Sequence, residues 1–198
     1  MLADQVDDAL AEVVREPERG EPRVGERRAQ LGVAVERALA ELGATLADAR
    51  LAALKFPNAA RQRIVHLIRE HMFDFQESWS DAAVRRFVRR VGVESIADLF
   101  DLRLADALGN GTRGPDTVRL ELMARRIEGV LRESTALSVH DLAVDGDDVM
   151  HALGLAPGPE VGRVLAALLD QVIEQPALNA RATLLLRLDG MRAERGSA

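Results

Sequence analysis

Two features of this chain could hold a phosphate, and little else in it suggests chemistry. The first is a turn, Gly154-Leu-Ala-Pro-Gly-Pro-Glu-Val-Gly162, set between two stretches with helical periodicity. Amides at a helix N-terminus point outward with partial positive charge, which suits an anion. On that reading Gly154 ends one helix, Gly158 supplies a positive φ or a close approach, Pro159 opens the next helix, and Gly162 lets another backbone come near. The alternative is a plain helix–helix turn. The second feature is the quartet Arg85, Arg86, Arg89 and Arg90, expected on the helix side opposite Val84, Phe87, Val88 and Val91. Arg119, Arg125 and Arg126 repeat the signal more weakly. Such arginines either line a solvated face or touch nucleic-acid backbone.

Other chemistry is thinly represented. With no Cys there is no thiolate ligand, cysteine nucleophile or disulfide. His66 and His71 diverge by about 140° on a helix, so they do not converge on one ion, and His71 shares a face with Ile64 and Leu67 as a packed histidine would. Asp145-Gly-Asp-Asp148 looks like a cation loop but lacks the further spaced carboxylates of a calcium site, and Asp147 as a helix N-cap explains it more simply.

The elements that must position these residues are helices. Of 198 residues, 47% are hydrophobic and only 3% aromatic, so the core draws on Leu, Val and Ala, and no period-two strand, internal repeat or heptad run is found. An all-α chain is expected: a polar N-terminal tail (1–24, with a short helix at Asp4–Glu16), a helical bundle (25–132), a small helical tail domain (133–190) and a flexible end (191–198). Residues 26–54 read as one long or two broken helices. Pro57 and a capping Asn58 restart the chain, and Ser80 caps a helix to Val91. A helix from Glu94 to Leu108 stops at Gly109-Asn-Gly111, and Pro115 opens one to Arg132. Shorter helices follow at 147–153, 160–174 and 179–188. No basic leader or long apolar run is present, so a cytoplasmic location without membrane contact is expected. Net charge is −6, yet residues 55–132 carry 14 basic against 11 acidic side chains, a local surplus able to grip a few phosphates.

The run from Asp141 to Leu165, followed by Pro176-Ala-Leu-Asn179, resembles the C-terminal tail of bacterial tRNA nucleotidyltransferases of the poly(A) polymerase family. Leu54-Lys-Phe-Pro-Asn58, Val65-His-Leu-Ile-Arg-Glu-His-Met72, Ser80 to Gly92 and Leu102-Arg-Leu-Ala-Asp-Ala-Leu-Gly109 resemble the HD-type helical region that precedes that tail. The resemblance covers roughly residues 54 to 188 and implies an HD-like bundle plus tail that hold tRNA or another structured RNA. In that family magnesium and nucleotide belong to a catalytic head, which this chain lacks, so no cofactor and no catalytic residue is expected here. A separate head polypeptide or a second copy of the chain is a candidate partner.

The HD resemblance also raises a metal phosphohydrolase site. Asp106 matches its distant Asp, but no His precedes residue 66 and the sole His-Asp pair, His140-Asp141, lies elsewhere. The ligand set is broken, and Asp106 is expected in an ion pair or cap. Three readings follow: an RNA-binding body and tail supporting CCA addition or repair, with Arg85, Arg86, Arg89, Arg90, Arg119, Arg126, Gly158 and Gly162 as contacts; a protein-interaction module that has lost RNA binding; and a residual phosphohydrolase.

Overall fold

The structure, a computed structural model, describes residues 24–109, 117–133 and 136–196; of these, the side chains of 24–31 and 194–196 are not described. The described residues are helical and contain no strand. The helices are α1 (Val24–Ala53), α2 (Asn58–Glu70), α3 (Asp81–Val91), α4 (Ile96–Gly109), α5 (Thr117–Arg132), α6 (Gly146–Leu153), α7 (Pro159–Glu174) and α8 (Arg181–Gly196). Single 3-10 turns sit at Val93–Ser95, Val139–Asp141 and Pro176–Leu178. The expected helix at Asp4–Glu16 and the helix-opening Pro115 lie outside the described residues.

The chain divides into two compact units that are discontinuous in sequence. The first holds the residues up to Asp74 and Ser95–Pro115, hence α1, α2 and α4; the second holds Phe75–Glu94 and Asp116 onward. In this division α3 and α5 group with the later helices α6, α7 and α8. Hydrophobic periodicity shows which face of a helix is buried but not which helix buries it.

In the first unit α1 is one unbroken helix, with Gly32 and Gly43 inside it. It ends at Lys55, in the left-handed region at φ 59°, where the Phe56 amide donates to Leu51 O at 3.0 Å and closes a Schellman-type turn. α2 then runs back along α1. Arg61 Nε lies 2.7 Å from Asp48, and one helical stretch further from the turn Arg69 Nε donates to Glu41 at 3.0 Å. Pro57 precedes α2 without any side-chain capping bond, so the capping role expected of Asn58 is not realised. Ala40, Ala44, Val65, Phe73 and Leu99 form the interior, and the Phe73 ring stacks on Phe100 at 6.1 Å.

The second unit has the richer core. Val149, Leu168, Leu169, Val172, Ile173, Leu184 and Leu188 are fully buried between α6, α7 and α8. Val84, Val88 and Val91 from α3 are buried as well, together with Met123, Ile127 and Val130 from α5. Ser80 caps α3 as expected, its Oγ accepting from Ala83 N at 3.2 Å. α8 continues to Gly196, beyond the expected end at 188–190, so residues 191–196 are helical rather than a loose end.

Candidate nucleic-acid interface

The arginines of α3 are not a bare cationic stripe. Arg85 is 5% exposed. Its Nε donates to the Ile173 carbonyl at 2.7 Å and its Nη2 to the Glu174 carbonyl at 3.5 Å. Both carbonyls belong to the last turn of α7, where they have no partner within the helix and carry the negative end of its dipole. A guanidinium, always charged and with donors fixed in a fork, satisfies them from outside. The expectation that Arg85 faces solvent or RNA is therefore corrected: it is a helix C-terminal clamp. Its neighbours extend the clamp, with Arg86 ion-paired to the Glu174 carboxylate and Arg89 Nη1 donating to Asp170 at 2.6 Å. Both remain at the surface, as does Arg90, which lies over the Phe87 ring at 5.5 Å.

Arg119 donates to the Phe75 carbonyl, and Arg126 reaches Asp81 at 2.7 Å and the Glu77 carbonyl at 3.3 Å. These two tether the loop before α3, where Phe75 and Trp79 meet edge to face at 5.5 Å, to α5. Arg125 is more exposed and stands 3.6 Å from Glu121 on its own helix.

The glycine–proline turn is legible but offers little to an anion. Gly154 ends α6 in the left-handed region at φ 66°, and Pro159 occupies the first turn of α7, both as expected. Gly158 sits at φ 167°, extended backbone open to any residue, and a Cβ there would approach nothing closer than Ala156 O at 4.0 Å. Around Gly162 there is open space. The positive φ and close approach expected of these two glycines are thus not needed. Proline has no N–H, the Val161 amide donates to Gly158 O at 3.2 Å, and Glu160 places a carboxylate in the first turn. Little donor capacity remains there for a phosphate.

The acidic run preceding it is a cap. Asp145, not Asp147, is the N-cap of α6: its Oδ1 accepts from the Asp147 and Asp148 amides at 3.0 Å, and Asp148 returns the bond to the Asp145 amide at 3.1 Å. Arg181 forks onto both Asp148 oxygens at 2.7 and 2.5 Å, and that hydrogen bonding holds the Asp148 carboxyl below the usual carboxylate range. Asp141 is lowered too, first by the Ser138 amide and then by its hydroxyl. Asn179 accepts from Ala143 N at 2.8 Å and donates to Asp141 O at 2.9 Å, so the separated motifs of the tail form one joint.

Asp106 stands 3.9 Å from Arg103 on its own helix, in line with the ion pair expected of it. His71 Nδ1 lies 2.6 Å from Ile68 O on a half-buried face, as a packed histidine would. Among the described residues no three His, Asp or Glu side chains are grouped to hold a metal ion. No helix among these residues is long and apolar enough to cross a membrane.

Sequence reasoning missed Lys55 at its left-handed position and the clamp made by Arg85. The clamp's partners are main-chain carbonyls, which no residue type announces.

Comparison with known proteins places this architecture. The family described as tRNA nucleotidyltransferase domain 2 matches residues 38–187. A CC-adding tRNA nucleotidyltransferase of Thermus thermophilus is 39% identical over 158 residues, covering 78% of this chain and 34% of that protein. An A-adding tRNA nucleotidyltransferase of Deinococcus radiodurans is 36% identical over 156 residues, covering 76% of this chain and 34% of that protein. The chain thus spans about a third of the length of these relatives. No solved structure matches it. With the match running through both compact units, the chain belongs to the tRNA nucleotidyltransferase domain 2 family.

Proposed function

We propose that this chain is an RNA-holding part of a tRNA nucleotidyltransferase-like protein, gripping tRNA by its backbone in support of CCA addition or repair and leaving nucleotidyl transfer to a catalytic head. The observation that carries this reading is the family match across residues 38–187, with relatives that add C or A to tRNA. The contacts are the surface arginines of α3: Arg86, Arg89 and Arg90. Ion pairs at an exposed surface are worth little, so Arg86 and Arg89 can exchange a carboxylate for a phosphate at small cost. Recognition is then of duplex shape and charge, without base readout.

Binding of labelled tRNA to the chain, measured as a function of salt, tests this. Replacing Arg86, Arg89 and Arg90 together by Ala should weaken binding and reduce the slope of log affinity against log salt by up to about 0.9 per lost phosphate contact. Unchanged affinity and slope at low salt would sink the assignment.

A second reading, a helical interaction module without RNA binding, is favoured by one observation: Glu174, Asp170 and Asp81 already partner Arg86, Arg89 and Arg126. It predicts no measurable tRNA affinity for the unaltered chain.

A further inference from the structure

We propose that the outer face of α1 is a self-association surface, on which α1 of a second copy of this chain packs antiparallel. α1 carries two apolar faces. Ala40 and Ala44 are buried within the first unit, whereas Leu39, Leu42 and Leu46 are 54%, 40% and 60% exposed. At about 100° per residue these leucines, with Val35, Ala49 and Ala53, centre about 180° from the Ala40–Ala44 face. Their spacing alternates four and three residues, the seam of a two-helix coil, and it runs about 27 Å. Gly32 and the alanines dilute it, so no heptad run stands out in the sequence. The interior of this unit is small, drawn from Ala40, Ala44, Val65, Phe73 and Leu99 among the described residues, and contiguous exposed leucines on a long helix mark an interaction surface.

Charge at the seam's edge selects the occupant. Glu36 and Arg50, both exposed, directly follow Val35 and Ala49 and therefore lie on the same edge. In an antiparallel pair of identical helices like edges meet, and Glu36 of one copy comes beside Arg50 of the other, twice by symmetry. The same register sets Leu42 against Leu46 of the other copy, and Leu39 against Ala49, alternating large with small. In a parallel pair that edge would face Ala38, Thr45 and Ala52, which carry no charge. The surface shares no residue with the α3 arginines, so this proposal and the RNA-binding proposal fail independently.

Sedimentation of the full chain, with circular dichroism to confirm retained helix content, tests it. The unaltered chain should show twice the 21.6 kDa chain mass. Leu42→Glu, at the centre of the seam, should weaken the dimer by roughly a hundredfold or more, since a carboxylate would be buried against leucine. Glu36→Arg should weaken it and Glu36→Arg with Arg50→Glu should restore it; this series carries the test if Leu42→Glu aggregates. A monomer at every concentration, a dimer indifferent to Leu42→Glu, or charge reversal without rescue overturns the proposal. Dimerisation seen only after removal of residues 1–23 overturns it too, because the N-terminal segment would then be the occupant.

Discussion

Replacing Arg85 by Ala should cost the chain about 3 kcal/mol, far more than the same change at its neighbour Arg86. The figure follows from what the side chain does. The 2.7 Å bond from Nε to the Ile173 carbonyl is charge-assisted and shielded from water, a kind of bond worth about 1.5–3 kcal/mol. Its loss also leaves a helix-end carbonyl without a donor in a site where Arg85 itself is 5% exposed. The 3.5 Å bond to Glu174 and the 4.0 Å approach to the Glu133 carboxylate add little. Arg86 and Glu174 are both about half exposed, so Arg86→Ala should cost at most about 1 kcal/mol. For a chain of this size each kcal/mol moves Tm by about 2–4 °C, so thermal unfolding should show a drop of about 6–12 °C for Arg85→Ala and no more than about 4 °C for Arg86→Ala. Equal drops for the two variants would refute the clamp. A change in the salt slope of tRNA binding on altering Arg85 alone, with stability intact, would refute it from the other side.

Gly154→Ala should destabilise by about 1 kcal/mol because φ is 66° there, whereas Gly162→Ala, in open helical space, should stabilise by about 0.5–1 kcal/mol; urea midpoints would read both. Lys55→Gly should raise Tm by a few degrees, since a residue with a Cβ now occupies the left-handed end of α1. Asp141 and Asp148 have carboxyls held below their unfolded value of 3.8. Their stabilisation is thus fully present above about pH 4 and is lost as pH falls through the depressed folded values. Asp148→Asn should flatten part of that acid limb in pH-dependent unfolding and leave stability near neutrality lower.

Some local structural roles were announced by the sequence. Ser80 caps α3, Gly154 turns left-handed and Pro159 starts α7 because each acts within four residues of its own position. Asp145 was missed in favour of Asp147 because either could cap, and only the direction of the chain entering α6 decides. Arg85 was missed for a different reason. On a helical wheel it flanks Val88 and looks like the start of a polar face, while its partner lies 88 residues away. The small interior of the first unit was equally hidden, because the buried residues of α1 are Ala40 and Ala44 rather than its leucines. The family resemblance reached the body and tail through their motifs, which periodicity alone would not have connected.

The distance in sequence between Arg85 and Ile173 has a consequence during synthesis. The second unit is opened by α3, interrupted by α4, and closed only when α7 emerges. At typical ribosomal speeds that interval is on the order of ten seconds. Through it α3, which packs on both α5 and α7, lacks the second of these partners, and Arg85 has no helix end to clamp. The nascent chain is therefore most exposed to aggregation in its middle third, and codon or temperature changes that slow translation between residues 92 and 174 should lower soluble yield without altering the finished fold.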